Sequence, residues 1–159
     1  AELLLIGGLA TRPEQALEKV NTALDSGAAL EQFSRMVSAL GGPTDFVEKC
    51  SDYLPVAPVQ QAILAPRSGW VGSMATRDIG LLVVDLGGGR HQASDAIDAR
   101  VGFTAFAQVG QVVNTGNVLA IVHAANAAAA DQARQTLLGL IDITDTCPTD
   151  LPPLITRLA

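Results

Sequence analysis

Apolar residues recur at helical spacing through the first third of the chain and at strand spacing after residue 55. Leu3, Leu4, Leu5 and Ile6 form an apolar run with no capping residue before it, so the chain is expected to begin inside a helix. Thr11 and Glu14 stand at capping-box spacing with Pro13 in the first turn, and Ala16, Leu17, Val20, Ala23 and Leu24 then line one face. Gly27 is placed to end that helix in a left-handed conformation. Leu30, Phe33, Met36, Val37 and Leu40 predict a second helix, broken at Gly41, Gly42 and Pro43, with Asp45 and Glu48 offering a short further turn.

From Pro55 onward the pattern changes. Strand-like segments at 59–65 and 70–74, joined by Pro66, Arg67, Ser68 and Gly69, predict a β-hairpin. Ile79, Leu82, Val83 and Leu86 return to helical spacing, and Gly87, Gly88 and Gly89 are expected to stop that helix abruptly. Strands are predicted at 101–107 and 118–123, with turns at Gly110 and at Asn114, Thr115 and Gly116. An Ala-rich helix over 124–140 and a last strand at 141–144 complete the order β-β-α-β-β-α-β. Strands that do not alternate regularly with helices predict an α+β domain, here 55–159, preceded by a helical segment, 1–54.

Composition narrows the function classes. Forty-eight per cent hydrophobic residues in 159 supply a real core, and sixteen acidic against ten basic residues give a net charge of −6, contrary to the electrostatic footprint of a nucleic-acid or anionic-membrane binder. The apolar runs fall short of the roughly 20 residues that span a bilayer. Cys50 and Cys147 stand alone and far apart, outside any metal-ligand spacing, and read as two reduced thiols.

Several residues invite a chemical reading. Gly87, Gly88, Gly89 and Arg90 suggest a phosphate loop, because glycines let backbone N–H groups approach an anion and Arg offers a fork of donors. Yet these glycines end a helix rather than open one, at the wrong pole of its dipole, and no Lys-Ser/Thr follows. Ser94, His91 and Asp95 can be assembled into a triad on paper, but three polar residues in one loop read first as a solvated turn. His123 ends an apolar strand and reads as a satisfied edge residue, and Arg77 with Asp78 as the first turn of a helix. The segment from Val109 to Leu119 resembles the turn-strand-turn of biotinyl and lipoyl carrier domains. Its turn has no acceptor lysine, since Lys19 and Lys49 are the only lysines.

Three stretches together go further. Gly42-Pro43-Thr44-Asp45-Phe46-Val47-Glu48, then Leu86-Gly87-Gly88-Gly89-Arg90 with Ala93-Ser94-Asp95-Ala96-Ile97-Asp98, then Val101-Gly102-Phe103-Thr104 resemble in order and spacing the C-terminal portion of the thymidine (pyrimidine-nucleoside) phosphorylase family. The opening Ala1 to Gly8 is similar to a helix of that family. The resemblance implies a cytoplasmic, homodimeric pentosyltransferase of nucleoside salvage. It would reversibly convert thymidine and inorganic phosphate to thymine and 2-deoxyribose 1-phosphate without a cofactor or metal. It also implies a hammerhead-like α+β C-terminal subdomain following the last helices of the phosphorylase core. The family's Lys-x-Ser-x-Gly-Gly phosphate loop and its base-holding Arg, Ser and Lys would lie upstream. Lys19, followed by Val20, and Lys49, followed by Cys50, do not fit that loop. The segment alone is therefore expected to carry no catalytic residue and to need the upstream part as its partner. What carries over is a cleft-rim loop associated with domain closure: Gly87, Gly88, Gly89, Arg90, His91, Ser94 and Asp95. The alternative is an autonomous, non-catalytic binding module with the same fold. In a segment without its upstream partner, Leu3, Leu4, Ile6 and Leu17 are expected to leave an apolar patch exposed.

Overall fold

The computed structural model describes residues 1–149, so the expected domain end at 159 and most of the tail lie outside the described residues. The chain divides into two compact units, Ala1–Leu54 and a second that begins at Pro55.

The first unit contains α1 (Glu2–Ile6), α2 (Pro13–Asp25), α3 (Ala28–Ala39) and the single turn α4 (Cys50–Tyr53). Pro13 occupies the first position of α2, where its missing N–H costs nothing, but the cap residue is Arg12. The expected Thr11–Glu14 capping box therefore does not form. Gln15, at the third helical position, accepts the Thr11 N–H at 3.0 Å through Oε1. Gly27, at φ 79°, follows the end of α2 in the left-handed region and also precedes α3. Beyond Gly41 and Gly42, Asp45 accepts from Lys49 Nζ at 2.8 Å and from Tyr53 Oη at 2.6 Å, fastening the turn to α4. Both helical stripes form, yet little of them is covered within this unit. Ala10 and Ala16 are buried, whereas Leu3 and Ile6 are each 82% exposed and Leu24, Leu30, Phe33 and Leu40 are exposed as well.

The second unit holds β1 (Val59–Leu64), β2 (Gly69–Met74), α5 (Thr76–Val83), β3 (Gly102–Thr104), β4 (Val112–Val113), β5 (Val118–Ala124), α6 (Ala127–Leu138) and β6 (Ile141–Thr144). Two small antiparallel sheets result, one ordered β1-β5-β3 and the other β4-β2-β6. The architecture is α+β, as the order of elements implies.

The expected hairpin of β1 with β2 does not form. β1 pairs with β5 and β2 pairs with β4 and β6, so the connection at 65–68 carries the chain from one sheet to the other. At this connection the Arg67 guanidinium donates to the carbonyl of Ile143 and the carboxylate of Asp145, tying it to the end of β6. Gly69 then passes so close to that strand that a Cβ would lie 2.5 Å from the Thr144 carbonyl oxygen.

Alternation along the strands sets the inner face. Ile63 of β1 and Ala120, Val122 and Ala124 of β5 are buried, as are Val71, Ile141 and Ile143 of the second sheet. α6 presents Ala130, Ala133 and Leu137 to this core at helical spacing. Two alanines let the helix approach closely, and full burial of Leu137 contributes about 2–3 kcal/mol. Asn126 caps α6, its Oδ1 accepting the Ala129 N–H at 2.9 Å. Among the described residues no helix is long and apolar enough to cross a membrane.

Candidate functional site

The residues singled out by sequence lie where α5 ends. Asp78 sits in its first turn, as expected, favourable to the positive end of the helix dipole. At the other end the glycines do not stop the helix outright. Val84–Gly88 forms a wider π-type turn, inside which Gly87 adopts φ 97° and kinks the chain. The expected helix to residue 86 therefore becomes an α-helix to Val83 followed by this turn.

Each glycine has its own reason to be there. Gly87 has open space around its missing Cβ, so its left-handed backbone is what favours glycine. Gly88 and Gly89 are needed for space instead: a Cβ would lie 2.8 Å from Val83 Cγ1 in the first case and 2.7 Å from Val84 Cγ2 in the second.

Beyond Gly89 the chain runs through an exposed segment that closes on itself. The Asp98 N–H donates to the Gly87 carbonyl at 2.9 Å. Within the loop, Asp95 Oδ2 accepts the N–H groups of His91 at 3.1 Å and Gln92 at 2.9 Å. His91 turns its ring the other way, with Nε2 3.2 Å from Asp85 Oδ1, and both side chains are more than half exposed, so this contact adds little stability. Ser94, His91 and Asp95 thus form no triad, because the carboxylate serves the backbone and the imidazole meets a different acid. Arg90 is exposed, and its guanidinium makes no hydrogen bond or ion pair among the described residues. It leaves a fork of five donors available to an anion.

In the sequence Asp98 stands out only as part of a longer motif, and Arg100 does not stand out at all. Asp98 Oδ1 accepts from Arg100 N at 3.0 Å and Nε at 2.8 Å, while Oδ2 accepts from Nη2 at 2.8 Å. Those bonds hold the Asp98 carboxyl at about 2, below its ordinary 3.8, with the guanidinium bond the largest cause and the Arg100 N–H next. An acid and a base two residues apart is a common sequence pattern, so the only available signal was its place at the end of the glycine loop.

The other candidates are accounted for structurally. His123 lies in β5, the middle strand of its sheet rather than an edge, and its Nε2 sits 2.8 Å from Thr104 Oγ1 on the neighbouring β3. Lys19 donates to the Leu9 carbonyl at 2.6 Å. Cys50 and Cys147 are free and exposed. Among the described residues no group of three or more His, Cys, Asp and Glu is placed to hold a metal.

Comparison with known families gives the segment its relatives. Residues 70–144 match the family model for the pyrimidine nucleoside phosphorylase C-terminal domain, a span that takes in the glycine loop, β5, α6 and β6. Residues 70–144 are thus similar to the C-terminal domain of pyrimidine nucleoside phosphorylases.

Proposed function

We propose that the chain is the C-terminal segment of a thymidine phosphorylase. The whole enzyme would transfer the deoxyribosyl group of thymidine to inorganic phosphate, giving thymine and 2-deoxyribose 1-phosphate, as a cytoplasmic homodimer. The segment itself contributes structure and a cleft-rim loop but no reacting group. The observation that carries this reading is the family match over 70–144, which encloses the glycine loop.

The loop supports a role in closure rather than in chemistry. Gly87 provides a kink at its base, Arg90 offers a guanidinium with no partner among the described residues, and the carboxylate of Asp95 is engaged with backbone N–H groups rather than poised as a base. Closing a cleft expels water and completes a site whose phosphate-holding and base-holding residues would lie upstream. An arginine at the moving rim suits an anionic substrate such as phosphate.

The test is thymine release from thymidine and phosphate. The isolated chain, purified free of host phosphorylase, is expected to give no thymine above a no-protein control, whereas the phosphorylase containing it turns over. Clear phosphorolysis by the isolated chain would contradict the reading.

A further inference from the structure

We propose that Asp98 and Arg100 form a clasp that fixes the end of residues 88–97, holding the Asp98 N–H on the Gly87 carbonyl, so that Asp98 acts as a positioning residue for this loop. The role of the loop in catalysis rests on the cleft-rim reading above; the clasp does not.

Four hydrogen bonds converge on the N–H and carboxylate of Asp98, three of them from Arg100. Its N–H reaches back to the Gly87 carbonyl at 2.9 Å, joining the start of the loop to its end. Its carboxylate takes two parallel guanidinium bonds from Arg100, at 2.8 Å each, and a third from the Arg100 N–H at 3.0 Å. A bidentate, charge-assisted pair fixes orientation as well as distance, which single-point surface ion pairs do not. The Asp98 side chain is 26% exposed and that of Arg100 40%, so the pair is partly shielded from water.

The stretch on either side differs in kind. Immediately before the clasp, the loop holds its own shape through Asp95 and the N–H groups of His91 and Gln92, independently of the sheets. Immediately after it, Val101 leads into β3, which pairs with β5 in the core. The clasp therefore stands at the border between a self-bonded loop and the fixed sheet. At the opposite border, Gly87 has φ 97° and no atom within 4 Å of where a Cβ would stand, while Gly88 and Gly89 leave no room for a Cβ beside Val83 and Val84. The start and the end of the loop thus meet at the Gly87 carbonyl, which the clasp holds from the Asp98 side.

The test is amide hydrogen exchange followed by NMR on the full chain. Asp98→Ala, and separately Arg100→Ala, should speed exchange at His91, Gln92 and Asp95 on the order of tenfold while leaving Ile63, Val122 and Leu137 unchanged. Arg100→Lys, which can keep one of the two guanidinium contacts, should fall between. Arg134→Ala removes an ion pair to Asp131 elsewhere in the same unit and should leave the loop amides as they are. Unchanged loop exchange in both alanine variants, or equal acceleration throughout the unit, would overturn the proposal. In the phosphorylase containing this segment, Arg100→Ala should also lower kcat/KM. Selectively faster loop exchange with unchanged steady-state constants would uphold the clasp and overturn the cleft-rim reading instead.

Discussion

The carbonyl of Gly87 accepts the N–H of Asp98 at 2.9 Å, so residues 88–97 leave and rejoin the domain at one point. That closure depends on the left-handed backbone of Gly87. Alanine there meets no atom, so its cost comes from the backbone alone, about 1–2 kcal/mol by urea denaturation. Two other glycines bracket this value. Gly80→Ala, in an open position of α5, should stabilise by about 0.5–1 kcal/mol. Gly69→Ala drives a Cβ toward the Thr144 carbonyl and should cost about 1–3 kcal/mol.

Asp98 also sets an expectation for acid. Its folded carboxyl titrates at about 2, below the ordinary 3.8, so the stability it contributes is complete above the ordinary value and is lost as pH falls toward about 2. Asp98→Asn should therefore flatten the acid limb of the stability profile within that window and leave its slope near neutral pH unchanged. Denaturation midpoints measured across that range check this; parallel profiles for the two proteins would remove Asp98 from the acid response.

The exposed leucines of the helical unit should behave unlike the core leucine of the second. Leu24 is 63% exposed, and Leu24→Ser should change stability by no more than about 0.5 kcal/mol. Leu137 is fully buried, and Leu137→Ala should cost about 2–5 kcal/mol. Thermal unfolding of the two variants checks the contrast.

Much of the second unit was legible in the sequence. The strands around Ile63, Val71, Val122 and Ile143 follow the alternation of their residues, and α6 follows its Ala-rich composition but begins at Ala127, after the Asn126 cap, rather than at residue 124. Pairing was not legible, because alternation fixes which face of a strand is buried but not which strand lies beside it. Nearness in sequence favoured β1 with β2, whereas β1 pairs with β5 and β2 with β4 and β6, partners more distant in sequence. The two-residue β4 is too short to show a period. In the first unit periodicity located α2 and α3 correctly, yet an apolar stripe does not say whether its own unit covers it, and Phe33 and Leu40 remain exposed. The glycine loop stood out by composition. The engagement of Asp95 with backbone N–H groups and the Asp98–Arg100 pair depend on how the loop turns, which composition does not encode.

The most direct test of the central claim is kcat/KM for thymidine phosphorolysis by the phosphorylase containing this segment, with and without Arg90→Ala. A solvent-facing guanidinium without a partner among the described residues contributes little to folding, so the unfolding midpoint should stay in place. If the loop closes over an anionic substrate, kcat/KM should fall roughly tenfold or more, the loss of one charge-assisted contact. An unchanged kcat/KM would contradict a cleft-rim role for this loop.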